Sequence, residues 1–201
     1  MKVIEQEIHS LKNSISEMWA LVHQQLYNAG EAMLTGDKEL AYKVISRERR
    51  VNAFELKIDS DCEDIIALYA PVAIDLRFVL AMYKINTNLE RLGDFAESIA
   101  RFAGNLPEGE PIDPQLVKET RVEEMLSELL SMISLTKEAF EKESSEIASR
   151  IFLKDNLIDE INHNSTAIIA KYIEEHKGSA LAGLYMAGVI RKMERFGDHC
   201  T

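Results

Sequence analysis

Apolar residues near the start of the chain recur at alternating intervals of three and four: Ile4, Ile8, Leu11, Ile15, Met18, Val22, Leu26 and Ala29. That spacing is a helical seam for packing against neighbours, and it predicts a helix from about Lys2 to Leu34. Thr35-Gly36-Asp37 then offers a C-cap glycine and an N-cap aspartate. A second helix carries Leu40, Val44, Val51, Phe54, Ile58, Cys62, Ile65 and Leu68 until Pro71 breaks it. A third begins near Val72–Asp75 and runs to about Ala103. The stretch from Gly104 to Pro114 concentrates proline and glycine and reads as a linker. Three more helices are predicted beyond it, over Gln115–Glu141, Glu146–Glu175 and from Ser179 onward, with breaks at Lys142–Ser145 and His176–Gly178. No run of alternating β-branched residues argues for a strand, so the fold class is all-α.

The pattern is also duplicated. Glu90-Arg91-Leu92-Gly93-Asp94 returns as Glu194-Arg195-Phe196-Gly197-Asp198, 104 residues later. At an offset of 107, Val44-Ile45 matches Ile151-Phe152, and Val51-Asn52-Ala53-Phe54 matches Ile158-Asp159-Glu160-Ile161. The three-residue slip is taken up in the turn at Pro71, whose counterpart around Lys177-Gly178 is shorter. Two tandem three-helix bundles follow, residues 1–104 and 115–201, joined by a linker at 105–114, with the motif on each third helix.

Each motif sets two carboxylates at i and i+4, one above the other on a helix, where both can grip one cation. The third helix buries a seam of Met82, Ile85, Leu89, Leu92, Ala96, Ile99 and Ala103, and Glu90 and Asp94 lie roughly opposite it. The acids therefore belong on an outer face, as a metal or contact surface rather than a buried catalytic pocket. Hard oxygen donors suit Mg²⁺, Mn²⁺, Ca²⁺ or iron. The plain alternative is a solvated stripe of like charges, each pair of which costs only tenths of a kcal/mol. Glu160-Ile161-Asn162-His163 is a single Glu-x-x-His, where a ferritin-like di-iron bundle uses two. Asp59–Asp64 resembles a calcium loop but lacks its glycine and sits in a helical pattern. His9, His23 and His176 have no visible partners in the sequence. No phosphate-cradling loop, nucleophile elbow or Cys–His pairing argues for an enzyme.

Composition narrows the class further. A net charge of −11 over 201 residues argues against nucleic acid and is compatible with cations or basic protein surfaces. Cys62 and Cys200 have no metal-ligand spacing and read as free thiols in a reducing compartment. The N-terminus lacks a signal-peptide core, and no stretch approaches the roughly 18 apolar residues of a membrane span. The chain reads as cytosolic.

At these residues the sequence resembles the PhoU family of phosphate-transport regulators. The resemblance rests on the two Glu-x-x-x-Asp motifs, on Pro71-Val72-Ala73-Ile74-Asp75-Leu76-Arg77 ahead of the first, and on Val51-Asn52 and Ile158-Asp159 in the second helices. It covers essentially the whole chain. It departs from the family at Ser98, where an Asn is common, and the sixth helix is expected to be cut short after Asp198. The resemblance implies a cytoplasmic, non-catalytic regulator, peripheral to the membrane through its partners. Those partners would be the phosphate ABC transporter, through its ATPase subunit, and a sensor histidine kinase. It further implies a homodimer and a metal ion (iron, zinc, magnesium or manganese) held by Glu90, Asp94, Glu194 and Asp198. A ferritin-like metalloenzyme and a metal-free helical scaffold are the other readings of the same residues.

Overall fold

The computed structural model describes residues 3–105 and 112–201. Most of the expected linker, residues 106–111, lies outside the described residues. The first repeat consists of α1 (Val3–Thr35), α2 (Lys38–Tyr69) and α3 (Ile74–Asn105). The turns are set by local chemistry. Gly36 takes φ 71°, and the Asp37 carboxylate caps α2 by accepting from the Leu40 N–H at 2.9 Å. At the other end Ala70 closes α2 in the left-handed region just before Pro71.

The second repeat opens differently from the sequence expectation. The single helix expected over Gln115–Glu141 is two, α4 (Pro114–Thr120) and α5 (Val122–Lys142), broken at Arg121. Arg121 sits at φ 57°, a conformation that disfavours a residue with a Cβ. Its guanidinium holds the break in place, donating to Glu124 at 2.7 and 3.0 Å and to Glu160 at 2.8 Å. With neither Gly nor Pro at the position, the pattern of apolar residues carries no mark of the break. Two long helices complete the repeat, α6 (Ser145–Glu175), capped by Ser144, and α7 (Ala180–Asp198).

The buried seams are largely those of the apolar pattern. Leu11, Ile15, Met18, Val22, Leu26, Ala29 and Met33 of α1 meet Val44, Val51 and Ile58 of α2 and Met82, Leu89, Ala96 and Ile99 of α3 in one core. Met125, Leu129, Met132, Ile158, Met186, Val189 and Phe196 continue it through the second repeat. Ile4 and Ile8, at the free end of α1, are only half-buried. Both cysteines are free thiols, Cys62 buried and Cys200 partly so. No described helix is long and apolar enough to cross a membrane.

Two helix pairs join the repeats. Along α1 and α5, the Trp19 indole N–H donates to the Ile133 carbonyl at 3.2 Å, and its ring stacks on Phe140. Gly30 lies so close to α5 that an added Cβ would fall 2.2 Å from a Leu126 methyl carbon. Along α3 and α7, Phe102 fills the space over Gly188 and packs on Tyr185. Phe95 packs on His199 with the rings tilted and their centres 5.5 Å apart. These last two residues are 104 apart, so equivalent positions of the duplication meet at the junction.

Gly30→Val forces Leu126 out of this junction and is expected to destabilise the protein by about 1–3 kcal/mol in urea melts. Gly104→Ala, whose Cβ would meet nothing within 4 Å, is expected to gain stability rather than lose it.

Candidate metal centre

The glycine of each motif brings two helices together. A Cβ on Gly93 would lie 2.9 Å from Val51 Cγ1, and one on Gly197 would lie 3.4 Å from Ile158 Cγ2. Val51 and Ile158 are equivalent residues of α2 and α6 at the 107-residue offset. In both repeats, therefore, the third long helix rides directly on the second at the motif. On either side of that contact the carboxylates of the two helices converge.

In the second repeat the convergence is tightest. Asp155, Asp159 and Asp198 each place a carboxylate oxygen within 4.8 Å of the others. Asp155 is half-buried and its Oδ1 has no hydrogen-bond partner. The Cβ that Gly197 lacks would stand 3.1 Å from that same oxygen, so a side chain there would crowd the cradle. Glu194, half-buried one turn before Asp198, completes the acidic wall. Burial raises the Asp155 carboxyl above the usual range, and Asp159 and Asp198 push it further. Glu194 is raised by burial, then by Asp198 and Asp159.

The first repeat repeats the plan with a different donor set. Glu48 occupies the position of Asp155, and Asn52 that of Asp159. Glu48 Oε2 accepts from Asn52 Nδ2 at 2.9 Å, while its Oε1 is buried without a partner. The corresponding oxygen is thus orphaned in both repeats. Burial raises Glu48, helped by Glu97 and Asp94. Asp94 is exposed and also raised, by burial and Glu97 against the opposing pull of Lys192 and Arg91. Glu90 is the most perturbed acid of the pair of sites. Burial, Asp94 and Glu55 push it up to about 7. Lower in the same cleft, the buried Asn86 donates to Asp59 at 2.7 Å and to the Glu55 carbonyl at 2.9 Å. Ile190 holds the equivalent place in the second repeat, so this polar extension belongs to the first repeat alone.

The donor chemistry fits a hard cation. The oxygens are carboxylate and carboxamide, three of them (Glu48 Oε1, Asn86 Oδ1 and Asp155 Oδ1) are buried without partners, and mutual repulsion raises the acids that face them. Glu90, Asp94, Glu194 and Asp198 all lie on these clefts, and α2 and α6 add Glu48, Asp155 and Asp159. The 107-residue offset that aligns Val51-Asn52 with Ile158-Asp159 also aligns Glu48 with Asp155, and that was the available signal for them. The other candidate motifs are not assembled as such, although Asp59 reaches the first cleft through Asn86. Glu160 is exposed and bound by Arg121, and His163 is exposed beside it on α6. Asp59–Asp64 is helix throughout.

The fold and its clefts define a tandem helical-bundle protein whose second repeat gathers three aspartates between two helices, with a looser convergence of acids at the equivalent place in the first. The chain belongs to the PhoU family, whose domain matches residues 15–103 and again 122–201. It is 31% identical over 197 residues to the phosphate-specific transport system accessory protein PhoU homolog 1 of Thermotoga maritima, covering 98% of this chain and 84% of that protein. To the accessory protein PhoU of Escherichia coli K12 it is 32% identical, covering 96% of this chain and 79% of the relative. The crystal structure of PhoU from Pseudomonas aeruginosa superimposes with a TM-score of 0.91 at 28% identity, over 98% of this chain and 92% of that one. The phosphate transport system regulatory protein PhoU of Streptococcus pneumoniae gives 0.87 at 28% identity, over 98% and 91%.

Glu90 carries a pH dependence with a definite sign. Its carboxyl is near 4.5 when unfolded and about 7 when folded, so the folded state holds the extra proton between those values. The contribution of Glu90 to the stability of the metal-free protein therefore falls as pH rises from about 4.5 to 7. Glu90→Gln is expected to raise the melting temperature at pH 8 and to flatten the profile below it. A variant with unchanged slope and melting temperature would remove Glu90 as the origin.

Proposed function

We propose that this chain is a cytoplasmic, non-catalytic regulator of phosphate uptake and of the phosphate-starvation response, carrying a metal ion in each carboxylate cradle. It works as an adaptor, in contact with the ATPase subunit of the phosphate ABC transporter and with a sensor histidine kinase, and as a homodimer. The names of its relatives, accessory and regulatory proteins of phosphate transport, support the first part of that reading. The observation that carries the metal is the gathering of Asp155, Asp159 and Asp198, one of whose buried oxygens has no partner, beside a glycine whose side chain would crowd it.

In the second repeat Asp155, Asp159, Asp198 and Glu194 hold the ion. In the first, Glu90 and Asp94 hold it with Glu48, and Asn52 steadies the Glu48 carboxylate from below. A bound cation supplies positive charge where four or more acids repel one another. The protein's own contribution is geometric: it fixes two pairs of helices and the surface between them. A partner reading that surface meets a rigid, charge-compensated face when the cradles are loaded, and a repelling one when they are bare. Iron, zinc, magnesium and manganese are the candidate ions, with the oxygen donors favouring the harder ones.

Calorimetric titration of chelator-treated protein with Mn²⁺ tests the cradles. Asp155→Asn and Asp198→Asn are each expected to weaken binding by about tenfold or more while leaving the helical circular dichroism intact. Wild-type affinity in both variants would refute the ligand assignment. In cells, the Glu90→Ala/Asp94→Ala protein should accumulate normally yet leave the phosphate-starvation genes switched on in high phosphate. Full repression by that variant would separate the first motif from regulation.

A further inference from the structure

We propose that the seam between α3 and α7 is a binding site for a small, doubly charged oxyanion, and that it opens when the carboxylate cradles on either side hold metal. The proposal rests on the metal reading above and extends it to a second ligand.

Three cations meet at the junction. Lys192 Nζ and Arg195 Cζ each stand 5.6 Å from the centre of the Phe95 ring. Phe95 in turn packs against the tilted ring of His199 at 5.5 Å, and the His199 ring reaches Asn88 Oδ1 at 2.9 Å. Arg91, the motif arginine of the first repeat, holds on α3 the position that Arg195 holds on α7. Asn88 and Lys192 are equivalent positions, as are Arg91 and Arg195 and Phe95 and His199. The contacts Asn88–His199 and Lys192–Phe95 are therefore the same contact seen from the two repeats. The cluster sits on the local two-fold of the duplication, midway between the motifs.

None of these cations is neutralised by direct contact. Among the described residues Arg91, Lys192 and Arg195 form no ion pair, although acids outnumber bases throughout the chain. Arg101, about two helix turns beyond Asp94, is by contrast locked to Glu97 at 2.6 Å. Packing against Phe95 occupies Lys192 and Arg195 while leaving their N–H donors uncommitted. Uncommitted guanidinium forks are suited to the paired oxygens of an oxyanion. Four motif carboxylates stand close by, so the bare seam repels anions. Each divalent ion cancels two of the acidic charges beside the seam, so the repulsion an anion meets there falls when both cradles are loaded. Metal and anion affinities are then coupled, and each must raise the other by the same factor.

The test uses the full chain, Mn²⁺ and micromolar radiolabelled inorganic phosphate in equilibrium dialysis. Wild-type protein saturated with Mn²⁺ is expected to retain phosphate about tenfold more tightly than protein in chelator, and the Arg91→Gln/Lys192→Gln/Arg195→Gln variant to lose that gain while keeping its Mn²⁺ stoichiometry. Equal phosphate retention by the variant, or no retention by the metal-loaded wild type, overturns the proposal. So does retention of an acidic peptide in place of phosphate, which would make the seam a protein-docking surface. Failure of the wild type to take up Mn²⁺ at all overturns the metal reading with it, and that arm is measured separately.

Discussion

Two hydrogen atoms, those that stand for side chains on Gly93 and Gly197, decide how this molecule is arranged. A Cβ on Gly93 would stand 2.9 Å from Val51, so α3 could not rest on α2 at the present spacing, and one on Gly197 would touch Ile158 and crowd the Asp155 carboxylate at 3.1 Å. The carboxylates beside the contacts would then be spread across two separate helix surfaces. Close approach instead presses them into a cleft, removes part of their water and leaves Glu48 Oε1 and Asp155 Oδ1 without partners. The raised carboxyls follow from that one packing contact, through burial first and like-charge repulsion second.

Such clefts run against the stability of the bare protein, since each ionised acid adds repulsion in a partly desolvated site. The offsetting stability comes from elsewhere. One continuous apolar core runs through both repeats, with the Trp19–Phe140 stack and the Gly30–Leu126 contact tying α1 to α5. A rigid frame that tolerates local repulsion is what a cation-dependent surface requires. On the proposed metal reading, a cation would relieve repulsion already built in, rather than assemble a site from mobile parts.

The helical seams were legible because a packed helix repeats its demand for apolar residues every three or four positions. The pairing of motifs was legible because duplication writes the same demand twice. Arg121 shows where such reading stops: the α4–α5 break is made by ion pairs to Glu124 and to Glu160, 39 residues away, and leaves no Gly or Pro as a sign. The site shows the same limit. Glu90, Asp94, Glu194 and Asp198 announce themselves by spacing within one helix. Glu48, Asp155 and Asp159 join them only through the approach of a second helix, which no intrahelical spacing encodes. The placement opposite the apolar seam was correct in direction, but it could not show that an outer face becomes a cleft once α2 and α6 lie alongside.

Diffraction from crystals grown with Mn²⁺ bears most directly on this account, because anomalous scattering locates the ion without assuming its ligands. The account predicts a peak among Asp155, Asp159 and Asp198 beside Gly197, and a second by Glu48, Glu90 and Asp94 beside Gly93. Peaks confined to other acids on the surface, or none at either glycine contact at saturating Mn²⁺, would contradict it.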